Sequence, residues 1–344
     1  MIDKSSFQYY ANSGDKVEER HRALNDPAGY KVDKDLRNAV NAALILGQPM
    51  LITGEPGTGK TQLAHRVAAE LNLPLEVFPL TFNTKTTSTA KDLLYRYDAL
   101  RHFNDTQIAK RHLPVSSYIS YEALGLAILL SYSPDDPKRK KVNSYLPAEV
   151  QELGPMRSVV LIDEIDKAPR DLPNDILNEI ENMSFDIPEL ADENEQKSSF
   201  SFKADQQYRP IVILTSNSER DLPNPFLRRV VFYHIEFPGD KRLLEIVEAR
   251  HESSGLRGAQ IMPAIYHFLE LRRLNLIKQP ATAELLSWVY ILSERNIDVT
   301  NENKLEDLTA TYNILSKNEK DIKEMRAEAL NVIKRAVARN KSSQ

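Results

Sequence analysis

The sequence predicts an α/β fold built on a parallel sheet with an all-helical domain after it, and three observations carry that expectation. Between residues 49 and 237 five short β-type runs alternate with helical stretches: PMLITG (49–54), LEVFPLTF (75–82), SVVLID (158–163), PIVILTSN (210–217) and VFYHIEF (231–237). Most are nearly continuous in apolar residues, the pattern of strands covered on both faces by crossover helices. After Pro238 and Gly239 the β-type runs stop and only helical patterns follow. The expected division is a core over 1–237 and a helical domain over 238–344.

The helical elements have local reasons of their own. DLRNAVNAALIL and TQLAHRVAAEL bracket the first β-type run, and LPNDILNEIENM places Leu172, Ile176, Ile180 and Met183 at helical spacing, as core positions. The helical domain reads as DKRLLEIVEARH, MPAIYHFLELRRL and TAELLSWVYILSER, then a charged C-terminal stretch. FDIP and FSFK flank the polar ADENEQKSSF (191–200), as the strands and loop of an inserted hairpin.

Composition narrows the function classes. With 41 % hydrophobic and 27 % charged residues the chain has the balance of a globular protein. The absence of cysteine excludes disulfides, thiolate metal sites and a cysteine nucleophile, and the seven scattered histidines lack any HExxH pattern. No apolar segment approaches the roughly 20 residues that span a bilayer, and MIDKSSFQYY is too polar for a secretory signal, so the expected location is cytoplasmic. A net charge of −4 gives no global field for nucleic acid. The basic quartet Lys138–Lys141 reads as a solvated loop, with contact to a partner or nucleic acid as the alternative.

Chemistry concentrates at the ends of the β-type runs. Residues 54–61, GEPGTGKT, fit GxxxxGK[ST] between an apolar run and a helix. Glycines let backbone N–H groups approach an anion, and the helix N-terminus adds partial positive charge. The cradle comprises Glu55, Pro56, Gly57, Thr58, Gly59, Lys60, Thr61 and Gln62; Lys60 is expected to neutralise the β- and γ-phosphates of ATP, and the Thr61 hydroxyl to coordinate Mg²⁺. VVLIDE ends in Asp163 and Glu164 at the carboxyl edge of a buried strand, where two adjacent carboxylates imply a cation. Asp163 is the expected Mg²⁺ holder and Glu164 the base that polarises attacking water. Asn217 ends PIVILTSN and would lie beside Glu164 if the two strands are neighbours; a plain turn residue is the other reading.

Taken in order, GEPGTGKT, VVLIDEIDKAPRDLPNDILNEIE, TSN and LPNPFLRRVVFYHIEFP resemble the AAA+ ATPases, and most of all their MoxR-like branch, from about Tyr30 to Trp288. The resemblance implies a P-loop NTPase core with a five-stranded parallel sheet, an α-helical lid, and a homo-oligomeric ring, usually hexameric, with ATP at subunit boundaries. It implies a sensor-1 role for Asn217 and an arginine finger at Arg229, with Arg228 as the alternate; without it the two arginines read as a solvated pair. Tyr30 and Val32 are similar in position to the segment that packs on adenine. The hairpin FDIPELADENEQKSSFSFKA (185–204) and an insert within 83–157 are similar to elements that line a pore or face a client, and Tyr95, Tyr97 and Phe103 in that insert read as packing residues, with client grip as the alternative. One departure is that Lys278-Gln-Pro-Ala-Thr-Ala-Glu-Leu carries no arginine where the branch has its sensor 2, leaving Lys278, Arg272 or Arg273 as substitutes. The implied function is an ATP-hydrolysing remodelling or chaperone-like machine with a protein client and a von Willebrand A domain partner. An ATP-gated scaffold with slow hydrolysis is the alternative, and a nucleic-acid motor is disfavoured by the acidic balance.

Overall fold

A computed structural model describes residues 27–190, 200–251 and 258–342. Its strands are β1 (Met50–Gly54), β2 (Leu80–Asn83), β3 (Tyr95–Tyr97), β4 (Ile119–Tyr121), β5 (Val159–Asp163), β6 (Ser184–Ile187), β7 (Phe200–Lys203), β8 (Ile211–Ser216) and β9 (Val231–Ile235). Five of them form one parallel sheet in the order β2-β5-β8-β1-β9. Every residue of β1 and β8 is buried, as is β5 up to its half-buried Asp163, which explains their unbroken apolar runs.

The second run is shorter than the sequence predicts: residues 75–79 are not strand. Val77 and Phe78 donate to the Pro74 carbonyl at 3.0 and 2.9 Å, making a turn, and Pro79 has no N–H for a ladder, so β2 starts at Leu80. Helices α1 (Lys34–Leu46) and α2 (Lys60–Glu70) flank β1 in sequence. Asp33 caps α1 by accepting from the Leu36 N–H at 2.7 Å.

Between β2 and β5 lies the long insert. β3 and β4 pair antiparallel, joined by a segment that contains α3 (Ala99–Phe103), and α4 (Ala123–Leu129) packs on β2 and β5 with six of its seven residues buried. The basic quartet is a helix rather than a loop. It opens α5 (Pro137–Asn143), capped by Asp136, and Arg139 is fully buried, donating to the carbonyls of Tyr132, Leu153, Val150 and Gln151 at 2.8, 2.6, 2.8 and 3.2 Å. A short α6 (Ala148–Gln151) precedes β5. In α7 (Leu172–Asn182) Leu172, Ile176 and Ile180 are buried, as is Met183 just beyond, in line with their spacing. β6 and β7 form the expected antiparallel pair; of the loop expected at 191–200, Phe200 already belongs to β7 and residues 191–199 fall outside the described residues. The four-residue α8 (Asn224–Leu227) precedes β9.

The chain divides into two compact units. One holds Lys31–Gly239 and Ala281–Glu284; the other holds 27–30, 240–280 and 285–342 among the described residues. The second is helical: α9 (Asp240–His251), α10 (Gly258–Arg272), most of α11 (Thr282–Glu294), α12 (Leu305–Ala310), α13 (Tyr312–Leu315) and the 24-residue α14 (Glu319–Ser342). Its core is built around Trp288, Phe268 and Tyr312, and Trp288 Nε1 donates to Thr311 Oγ1 at 2.7 Å. Among the described residues no helix is long and apolar enough to cross a membrane.

Candidate nucleotide site

β1 ends at Gly54, residues 55–59 turn, and α2 begins at Lys60. Gly57 and Gly59 hold φ of 77° and 90°, a region that favours glycine. Space makes the same demand, since a Cβ on Gly57 would stand 2.9 Å from the Ala281 Cβ. The Gly57 carbonyl accepts from the Ala283 N–H at 3.2 Å, and Glu284 Oε2 accepts from the Ala281 N–H at 3.1 Å. Thr58 Oγ1 donates to the Glu55 carbonyl at 2.8 Å, tightening the turn. Lys60, only 6 % exposed, donates through Nζ to the carbonyls of Gly54 and Glu55, each at 2.9 Å. Burial lowers its pKa, against the pull of Asp166, Asp163 and Glu164. Gln62 Oε1 is buried with no hydrogen-bond partner among the described residues.

The acidic edge lies beside this turn because β5, β8 and β1 run parallel in adjacent positions, Ile162 pairing with Leu214 and Leu214 with Leu51. Thr61 Oγ1 donates to Asp163 Oδ1 at 3.1 Å, and Thr215 Oγ1 donates to the same oxygen. The Glu164 N–H donates to Thr215 Oγ1 at 2.9 Å, and Glu164 takes a left-handed φ of 56° that turns its side chain off the strand path. Asn217 Nδ2 then donates to Glu164 Oε1 at 3.1 Å, while Lys167 Nζ holds Oε2. The hydrogen bond to Glu164 is the main cause that raises the Lys167 pKa.

Three residues of this cluster escape a motif reading. Thr215 lies two residues before Asn217, and strand alternation could have placed the two on one side. Asp166 is 3 % exposed and accepts from the N–H groups of Asn217, at 3.2 Å, and Glu219, at 3.0 Å, so it fixes the turn at Ser218, whose φ is 59°. Lys167 gave no signal beyond its i+3 spacing from Glu164.

Arg228 and Arg229 are exposed, and Arg229 Nε lies 3.6 Å from Glu181 Oε1. Tyr30 belongs to the helical unit and half-buried Val32 to the sheet unit. Among the sensor-2 substitutes, Arg272 donates to the Pro280 carbonyl, Arg273 pairs with Glu270 at 2.6 Å, and the Lys278 side chain is exposed.

The donor set suits a nucleotide with Mg²⁺. One carboxylate and one hydroxyl are hard oxygen ligands, and Mg²⁺ is commonly held by few protein groups plus water and phosphate oxygens. A glycine turn that leads into a helix N-terminus is the backbone arrangement that binds phosphate.

A strand, a glycine turn, a helix N-terminus and a facing acidic strand end together define a P-loop NTPase core. Within that class the chain belongs to the AAA domain family, dynein-related subfamily, whose sequence profile matches residues 49–230. No curated protein matches the chain. Among solved structures it is similar to a Thermotoga maritima RuvB variant at 16 % identity, covering 86 % of this chain and 67 % of that one, with a TM-score of 0.39. Domain III of the Thermotoga maritima replication initiation protein DnaA matches at 12 % identity, 86 % and 98 % coverage and a TM-score of 0.43. The FIGL-1 AAA domain in complex with ADP matches at 13 % identity, 89 % of each chain and a TM-score of 0.38.

Proposed function

We propose that the protein is an ATP-hydrolysing AAA+ machine of the MoxR-like type, remodelling or chaperone-like, acting as a homo-oligomeric ring with ATP at subunit interfaces. One observation carries the reading: Thr61, Asp163, Thr215, Glu164 and Asn217 form a continuous hydrogen-bonded chain from the glycine turn to the end of β8. Bound ATP with Mg²⁺ supplies the bond to be broken and the charge that polarises it. Lys60 exchanges two backbone carbonyls for phosphate oxygens, and the N-terminus of α2 adds partial positive charge beside the same anion. Thr61 and Asp163 would hold the metal. Glu164 accepts a proton from the attacking water, and Asn217 fixes the orientation of its carboxylate. Arg229, or Arg228 in its place, reaches the site of the next subunit; their exposure suits that use.

The test is Mg²⁺-dependent ATPase activity that rises more steeply than linearly with protein concentration, alongside particle size with and without a slowly hydrolysed ATP analogue. Activity strictly proportional to concentration would reject the finger in trans. The client and a von Willebrand A domain partner are to be sought among proteins that co-purify with the Glu164→Gln form in ATP. A second reading, an ATP-gated scaffold whose hydrolysis is a slow reset, draws on the Lys167 ion pair that occupies Glu164. Normal ring assembly with turnover near background would favour it. Burial of Arg139 cuts the exposed basic quartet to three lysines, which weakens the nucleic-acid motor further; stimulation of the ATPase by DNA would revive it.

A further inference from the structure

The segment after β3 turns its polar side inward and its apolar side outward. Its inner face is held by His102, stacked on Tyr118 at 4.5 Å between ring centroids, by Asp105, which accepts from the Tyr118 hydroxyl at 3.2 Å, and by Thr106, whose hydroxyl donates to the His102 carbonyl at 2.8 Å. On the outside Leu100 is 71 % exposed, Phe103 58 % and Ile108 71 %. These three share one face for a geometric reason. Phe103 follows Leu100 by three residues of α-helix. Residues Asn104–Ile108 are a π turn, with the Ala109 N–H on the Asn104 carbonyl at 2.9 Å, so Ile108 comes round nearly above Phe103, five positions earlier. Phe103 is therefore not the packing residue its sequence neighbourhood implies, whereas Tyr95 is buried 6.1 Å from Phe185 between ring centroids.

Charge says what kind of surface fits this ridge. Residues 99–113 contain Arg101, Lys110 and Arg111, all exposed, plus two histidines, against the single acid Asp105. Asp98 stands just before them and accepts from the Arg101 N–H at 2.8 Å. This positive margin belongs to a chain whose net charge is −4.

We propose that Leu100, Phe103 and Ile108 form a docking ridge for an acidic amphipathic helix of a partner protein, with Lys110 and Arg111 meeting its carboxylates. An exposed apolar patch rimmed by charge is a common mark of such a surface. The ridge is too short, and too firmly held on Tyr118, to favour lying flat in a lipid interface. The inference does not depend on the ATP site.

The test uses the full chain and a fluorescein-labelled helix-forming peptide with leucines at i, i+3, i+4 and i+7 and glutamates elsewhere. Fluorescence anisotropy is expected to rise saturably, to weaken with salt, and to lose at least tenfold in affinity both in the Leu100→Ser/Phe103→Ser/Ile108→Ser variant and in the Lys110→Glu/Arg111→Glu variant. Circular dichroism of both variants is expected to match the parent, since all five side chains are exposed. Equal binding of a lysine-for-glutamate peptide or of one with scrambled leucine spacing, absence of binding, or unchanged affinity in either variant overturns the proposal. So does binding of phosphatidylserine vesicles without peptide binding, or loss of oligomers in the serine variant, which would make the ridge a contact between copies of this chain.

Discussion

At the carboxyl edge of the sheet, Lys60 is nearly buried and spends its charge on two backbone carbonyls; inside the helical unit, His267 is fully buried and shares Nε2 with the Tyr312 hydroxyl at 2.8 Å. The lysine's partners are exchangeable: either carbonyl can turn to water or another donor when a stronger anion draws the ammonium away. The histidine's surroundings are fixed. Trp288 lies 5.5 Å from its ring and Tyr312 5.9 Å, and its Nδ1 finds no partner among the described residues. The first region can rearrange around a ligand, and the second holds a shape. Glu164 belongs with the lysine, since both its oxygens are engaged by side chains that can let go.

The sharpest way to break the contrast is to remove the proposed base. Glu164→Gln keeps the shape and the contact with Asn217 but cannot accept a proton, so turnover is expected to fall by about 10²–10⁴-fold with ATP binding retained. Single-turnover hydrolysis and calorimetric titration with ATP and Mg²⁺ measure the two separately. Full turnover in this variant would remove Glu164 from the mechanism. Next in size is Asp166→Ala. Its carboxylate fixes the Asn217 and Glu219 N–H groups, so its loss lets the Asn217 amide drift from Glu164. Misplacement near 1 Å costs on the order of 10²-fold in rate. The drop is expected in kcat with little change in KM; a change in KM alone would mean that Asp166 serves binding instead.

Asp166 also marks where the sequence stops being readable. The turn at 54–61 and the acids at 163–164 could be placed because strand ends and glycine turns fix geometry locally, and β5 and β8 do lie side by side. Buried runs, the α7 periodicity and the hairpin strands were legible for the same reason. Asp166 and Lys167 were not, since an acid and a base in a short loop look solvated until the fold closes the Ser218 turn over them. Arg139 misled in the same way: within KRKK nothing separates it from its neighbours, and only the carbonyls gathered from residues 132 to 153 make its burial tolerable. Prolines decided the start of β2, where apolar content alone suggested a longer strand.

The helical unit gives a smaller and different effect. Burial pushes His267 down to about 3, so the folded protein keeps it neutral while the unfolded chain protonates it near its ordinary 6.5. The stability it contributes is fully present above pH 6.5 and is lost as pH falls toward 3. Between pH 6.5 and 5 the loss amounts to about 2 kcal/mol at 1.36 kcal/mol per unit. Urea unfolding at several pH values is expected to show this slope in the parent and a shallower one in His267→Gln, even if that variant starts less stable. Equal slopes would show that His267 is reachable by protons in the folded state.

The smallest expected effect has the opposite sign, and it tests whether the edge is held in a resting arrangement. Lys167 occupies Glu164 Oε2, the oxygen that Asn217 leaves open, so an attacking water competes with the ammonium for the carboxylate while both contacts stand. Their side chains are 42 % and 38 % exposed, and ion pairs this open are weak, which limits the gain from breaking one. Lys167→Ala is therefore expected to raise steady-state turnover only about two- to threefold, with ATP affinity unchanged, and added salt should shrink the difference from the parent by loosening the same pair. In a Glu164→Gln background the substitution should do nothing, which separates release of the base from any general loosening of the loop. A fall in turnover would invert the argument, because a lysine whose loss slows hydrolysis assists the reaction and is no restraint on it.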